Sequence, residues 1–212
     1  MNITLVHPAG SNWVPGQTDF TPIANRMAPL GLLSMAAWLR ERHHRVHVYD
    51  CLAWDRPRPQ PAVVRDILDR QPDLVGFSAT TSGFLDGYGL AETIKQQRPE
   101  IKTVFGGVHV SAIGTPLLKA FPAIDFLCIG EGEATLAELA DGAPPADITG
   151  LIWRDDGRVV TNPRRPLLPD LDQMPFPAYD LLWGFPRRYH LPLFSYIQRP
   201  GATMVTSRGC PY

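Results

Sequence analysis

Four short stretches carry the residue types that could grip a large, polar-edged ligand. They are His7-Pro8-Ala9-Gly10, Ser78-Ala79-Thr80-Thr81-Ser82-Gly83, Gly106-Gly107-Val108-His109 and Gly130-Glu131-Gly132-Glu133. The hydroxyls of Ser78, Thr80, Thr81 and Ser82 can donate to, or accept from, amides. Paired glycines lack Cβ atoms and let a bulky group approach the backbone. Glu131 and Glu133 can accept from a ribose hydroxyl or an amide. Glu133 also stands where a helix N-terminus favours a carboxylate. Taken one at a time, these are also ordinary turn glycines, a loop histidine and a helix cap. Their order and spacing together carry the signal.

Each stretch follows a short apolar run. Ile3–Val6, Val46–Tyr49, Leu74–Phe77, Ile101–Phe105 and Phe126–Ile129 read as strands. Helical patterns lie between them: a wide apolar face from Leu30 to Leu39, one opened by Pro61, Phe84–Gln97, Pro116–Phe121, and Ala134–Leu139 after the last strand. Strands alternating with helices predict a parallel sheet with right-handed crossovers. The expected form is an α/β, flavodoxin-like, doubly wound, five-stranded parallel sheet of order 2-1-3-4-5. Ligands of such sheets bind beyond the carboxyl ends of the strands, where the four stretches fall.

The pattern then changes. Gly150-Leu151-Ile152-Trp153 and Arg158–Thr161 flank Asp156-Gly157 and predict a β-hairpin. A segment rich in proline and aromatics follows to Pro200, and proline excludes a regular helix or central strand there. The expected division is a first domain over 1–145, a hairpin and Pro-rich linker over 146–200, and the start of a further domain over 201–212.

Composition narrows the class. The 212 residues are 44% hydrophobic and 19% charged, with a net charge of −1, so no strong field recruits nucleic acid or an anionic membrane. No apolar run is long enough to span a bilayer, and a cytoplasmic protein is expected. The three cysteines, Cys51, Cys128 and Cys210, are far apart and form no Cys-x-x-Cys pair, which argues against a disulfide framework. Cys51 and Cys128 read as small buried hydrophobes.

The combination resembles the cobalamin-binding domain that precedes the barrel of radical S-adenosylmethionine (radical SAM) enzymes. The resemblance rests on Ala28-Pro29-Leu30-Gly31-Leu32-Leu33, Asp73–Ser78, Val104–His109 and Asp125–Glu133. The Gly150 hairpin, Leu171–Asp180 and the terminal Arg208-Gly209-Cys210-Pro211-Tyr212 continue it over nearly the whole chain. It implies that cobalamin lies against the strand ends with its nucleotide tail alongside the sheet. His7, Pro8, Ser78, Thr80, Thr81, Gly106, Gly107, Val108, His109, Gly130, Glu131, Gly132 and Glu133 would contact it. Cys210 would be the first of three thiolates holding a [4Fe-4S] cluster in the full-length protein, where S-adenosylmethionine also binds. The chain would be the front of a longer enzyme, often a methyltransferase in this family, whose C-terminal radical SAM domain is its partner.

Cobalamin domains of the methionine-synthase type carry Asp-x-His-x-x-Gly, in which the histidine binds cobalt and the aspartate orients it. Here His7-Pro8-Ala9-Gly10 keeps the second half, but Leu5 stands at the aspartate position. The expectation is therefore cobalamin without a protein imidazole on cobalt, with His7 lining the pocket. Trp13, Trp54 and the loop 11–27 would either cap the cofactor or cover the sheet edge. Two other readings stay open: a flavodoxin-like module without cobalamin that serves docking or substrate recognition, and a free-standing nucleotide- or flavin-binding protein. The last lacks a Gly-x-Gly-x-x-Gly after the first strand.

Overall fold

The computed structural model describes residues 1–10, 26–54, 57–189 and 202–208. In chain order the principal elements are β1 (Asn2–His7), α1 (Leu30–Glu41), β2 (Arg45–Asp50), α2 (Gln60–Leu68), β3 (Leu74–Ser78) and α3 (Phe84–Gln97). They continue with β4 (Lys102–Gly106), α4 (Val108–Ile113), α5 (Thr115–Ala120), β5 (Phe126–Cys128), α6 (Glu133–Ala140), β6 (Leu151–Asp155) and β7 (Arg158–Thr161). The sheet order is β2-β1-β3-β4-β5-β6-β7. The first five strands are parallel in the expected order, and β6 and β7 add antiparallel.

Strand alternation sends successive side chains to opposite faces. Ile3, Leu5, Leu74 and Val104 face α1 and α6, where they meet Leu32, Ala36, Leu39 and Leu136. Val6, Val75, Phe77, Phe105 and Leu127 face the other way, toward Val63, Ile67, Leu90, Ile94, Val110 and Leu118 of α2 to α5. Both faces are covered, which accounts for the continuous apolar character of β3. No described helix is long and apolar enough to cross a membrane.

Two features differ from expectation. The sequence gives no sign of α4: Val108-His109-Val110-Ser111-Ala112-Ile113 is poor in strong helix formers and lies between glycines. The hairpin, expected to follow the sheet, extends it. Asp156 and Gly157 have φ of 44° and 79°, the pair of positive values a tight two-residue turn needs. Strand β6 then pairs with β5, Leu127 opposite Ile152. Arg154 fixes the hairpin to the layer below by donating to the carbonyls of Leu118, Phe121 and Ile124, which end α5 and the turn beyond it.

Strand β2 lies at an edge. Burial, then the charges of Arg70 and Arg45, lower the pKa of His47, and its Nε2 is buried with no partner among the described residues. The folded protein therefore favours neutral His47.

Two outcomes follow. Arg154→Ala should lower the unfolding free energy by about 2 kcal/mol in urea titration, because a charged donor to three carbonyls is lost; an unchanged midpoint would contradict this role. For His47, the unfolded chain takes up its proton near the ordinary histidine value and the folded chain only at lower pH. Stability should therefore fall as pH drops from about 7.5 to 5.5. His47→Val should flatten that part of the melting-temperature profile, and an unaltered slope would remove His47 as its source.

Candidate functional site

Between β1 and β3 the connections leave in opposite directions. The helix after β1 covers one face, and the helix after β3 covers the other. A crevice opens at such a switch point. On the α1–α6 face it deepens into a trough of about 370 Å³, within the range of small-molecule sites. Leu5, Gly76, Ser78, Val104, Gly106 and Cys128 line it from the sheet. Gly31, Ser34 and Met35 of α1, Leu136 of α6 and the loop Gly130–Glu133 form its walls.

The glycines have distinct reasons for being glycine. A Cβ on Gly76 would lie 2.9 Å from Leu5 Cδ2, so packing alone explains it. Gly107 has φ +99°, and its Cβ would fall 2.7 Å from the Ala79 carbonyl oxygen. Its missing side chain thus serves the close crossing of the β3 and β4 loops, not the trough. Gly106 is different. A Cβ there would make only ordinary contacts, 3.6 and 3.7 Å from Cys128. Gly31, in the first turn of α1, would meet nothing within 4 Å, although glycine weakens a helix. Neither is required by its neighbours, and both border the trough.

The lining is mainly apolar. Burial pushes the Cys128 thiol up to about 12, so it stays protonated and acts as a small soft surface. Cys51 is partly buried and packs against the core of the opposite face. The Ser78 hydroxyl opens on the trough with no partner among the described residues. Above, at the rim, Val108 is 71% exposed.

The remaining expected residues separate into groups. Gly107, Gly130, Glu131, Gly132 and Glu133 join Ser78 and Gly106 around the trough. Thr80 bonds Ser82 at 3.0 Å, and Thr81 bonds His109 Nδ1 at 3.2 Å, with Phe84 against the imidazole at 4.8 Å. The first link braces the loop after β3 internally, and the second ties that loop to the start of α4. Both glutamates face Arg208. Pro8 packs on the start of α3, near Gly83 and Gly87.

His7 lies outside the trough lining, and its Nδ1 is 2.9 Å from Asp50 Oδ1. The orienting carboxylate that is missing at Leu5 comes from β2 instead, because parallel register sets His7 beside Asp50. Asp50 also accepts from Leu52 N–H at 2.9 Å and Tyr189 O–H at 3.0 Å. No spacing rule along the chain could show this, since the partner sits on another strand.

Trp54 stacks on Trp183 at 4.3 Å and borders a groove at the β2 edge, away from the trough. Trp13, most of the loop 11–27, and Cys210 lie outside the described residues. Among the described residues no group of three or more His, Cys, Asp or Glu could hold a metal ion.

Residues 17–140 match the family described as B12 binding domain. An uncharacterised methyltransferase of Pyrococcus horikoshii is 36% identical over 190 residues, covering 87% of this chain and 39% of that protein. The anaerobic magnesium-protoporphyrin IX monomethyl ester cyclase of Rubrivivax gelatinosus is 27% identical over 221 residues, covering 100% of this chain and 37% of the relative. The chain thus spans well under half the length of these relatives. The structure of the cobalamin-dependent S-adenosylmethionine radical enzyme OxsB, with aqua-cobalamin bound, shares the fold. Its TM-score is 0.67 at 19% identity, over 85% of this chain and 24% of that one. The chain belongs to the B12-binding domain family, and within it resembles the cobalamin-binding domains of radical SAM enzymes.

Proposed function

We propose that the trough receives the nucleotide tail of cobalamin and that the rim above it carries the corrin. The observation that carries this reading is the pair Gly31 and Gly106. Their missing side chains serve no packing need, yet together they keep the trough open. Leu5, Met35, Val104, Cys128 and Leu136 supply apolar walls for a flat aromatic base. Ser78 offers a free hydroxyl to a polar atom on it. Val108, exposed at the rim, suits an apolar macrocycle.

Bound cobalamin would supply a redox-active cobalt able to carry an alkyl group. The chain's own residues bind and orient the cofactor and keep water from the tail. His7, held by Asp50, stands at the end of β1 beside this region. Facing the Asp50 carboxylate, which can only accept, Nδ1 is the donor of this pair, and Nε2 is left unengaged by Asp50. In the longer protein, we propose, residues 201–212 begin a C-terminal radical SAM barrel. Cys210 would ligate a [4Fe-4S] cluster there, and S-adenosylmethionine would bind nearby. The relatives' lengths and names support an enzyme of this kind, with methyl transfer as the favoured reaction, and we propose that it is cytoplasmic. This segment by itself would hold cofactor without turnover.

Reconstitution with hydroxocobalamin should give a coloured protein that keeps its cofactor through gel filtration. Gly106→Leu should weaken retention at least about tenfold with the apo-protein melting temperature nearly unchanged, since filling the trough removes ligand volume only. Gly107→Ala should instead lower apo-protein stability by about 1–3 kcal/mol, through backbone strain at positive φ. Colourless wild-type protein would favour a docking module, and yellow protein as purified a flavin carrier. A Gly106→Leu variant that retains cobalamin normally would place the tail elsewhere.

A further inference from the structure

The two carboxylates of the Gly130–Glu133 loop converge on one cation from far along the chain. Arg208 donates to Glu133 Oε1 at 2.7 Å and lies 3.6 Å from Glu131 Oε1. All three side chains are sheltered, Glu133 most of all at 10% exposure. Partial burial opposes the guanidinium charge, but the two carboxylates more than offset it, and its pKa is raised. Glu131 is held on its other oxygen by the Leu168 N–H at 3.2 Å.

The segment that carries Arg208 has a second anchor. The Tyr179 hydroxyl donates to the Thr203 carbonyl. Between the two anchors the chain crosses the mouth of the trough, and Val205 and Arg208 form part of its lining. Met204 and Val205 are 71% and 56% exposed, so apolar packing does little to hold this stretch. Its position rests on polar contacts at its two ends.

We infer that residues 202–208 form a strap over the trough, latched by Arg208 on Glu133 and Glu131. The inference rests on the cobalamin reading for the identity of the ligand, but not for the latch itself. A ligand in the trough touches the strap and so favours its closed position. By reciprocity, the closed strap retards release of the ligand. Arg208 is then a positioning residue, tying the residues just before Cys210 to the occupancy of the cofactor site. Filling the trough and ordering the entry to the next domain become one linked equilibrium. Glu131 and Glu133 act on the ligand through Arg208.

The test uses this chain with hydroxocobalamin, in wild-type, Glu133→Gln, Arg208→Gln and Arg208→Lys forms. Backbone amide order parameters of residues 202–208, read by NMR relaxation without ligand, should fall from the values of ordered chain, about 0.85, to below about 0.6 in Glu133→Gln and Arg208→Gln, with the sheet strands unaffected. Cobalamin dissociation, followed by absorbance, should quicken about tenfold in the same variants, within the usual range for coupled sites. Arg208→Lys should fall between them and wild type. Melting temperatures of the apo-proteins should coincide, which separates a latch from a general structural role. Unchanged order parameters in both glutamine variants would overturn the latch. Lower order parameters with unchanged dissociation would overturn the coupling. Wild-type protein that retains no cobalamin would defeat the cofactor reading and with it the coupling, while the order parameters would still decide the latch.

Discussion

A central parallel strand must be covered on both faces, because water cannot satisfy what lies beneath the helices. On the α1–α6 face this chain leaves part of that cover out. Gly106 stands where β4 would otherwise fill the layer, and Gly31 thins the first turn of α1, which also borders the trough. An apolar trough open to water forgoes the burial that stabilises the rest of the core, at about 25 cal/mol per Å². Such a deficit at a switch point makes sense when a ligand completes the layer. The proposed cobalamin tail would do so, becoming in effect part of the hydrophobic core.

The arrangement around the trough follows from that gap. The rim loops need fixed positions without side chains that intrude, and they get them from short polar links: Thr80 with Ser82, and Thr81 with His109. The buried Asp50 carboxylate joins β1, β2 and the later Tyr189 in one network, so that His7 and the linker share an anchor. At the trough, Arg208 likewise ties the loop after β5 to a segment far along the chain. Long-range polar contacts thus hold together residues far apart in sequence, one set at the β2 edge and one at the trough.

Much of the architecture was legible in the sequence. Short, mainly apolar runs, closed by His7, Asp50, Ser78, Gly106 and Gly130, marked five strands, and their alternation with amphipathic segments pointed to the order 2-1-3-4-5. The loops that follow them were legible as ligand-facing for the same reason. Helix α4 was not, because a six-residue helix between glycines has no period to read. Nor was the joining of the hairpin to the sheet edge, since local turn chemistry does not say which strand it will pair with. The glycines were legible as a group but not as individuals: only the geometry separates Gly107, which the Ala79 backbone demands, from Gly106, which nothing but an open trough explains. The pairs His7–Asp50 and Glu133–Arg208 join positions 43 and 75 residues apart, and one sequence holds no trace of such contacts.

Cobinamide carries the corrin of cobalamin without the nucleotide tail, so comparing the two ligands isolates the trough. Equilibrium binding of each to this chain, followed by absorbance, is the most direct measurement. If the tail fills the gap beside Gly106, cobalamin should bind at least about a hundredfold more tightly, a difference of roughly 2.7 kcal/mol. Equal affinity for the two would mean that the trough takes no part in binding the cofactor.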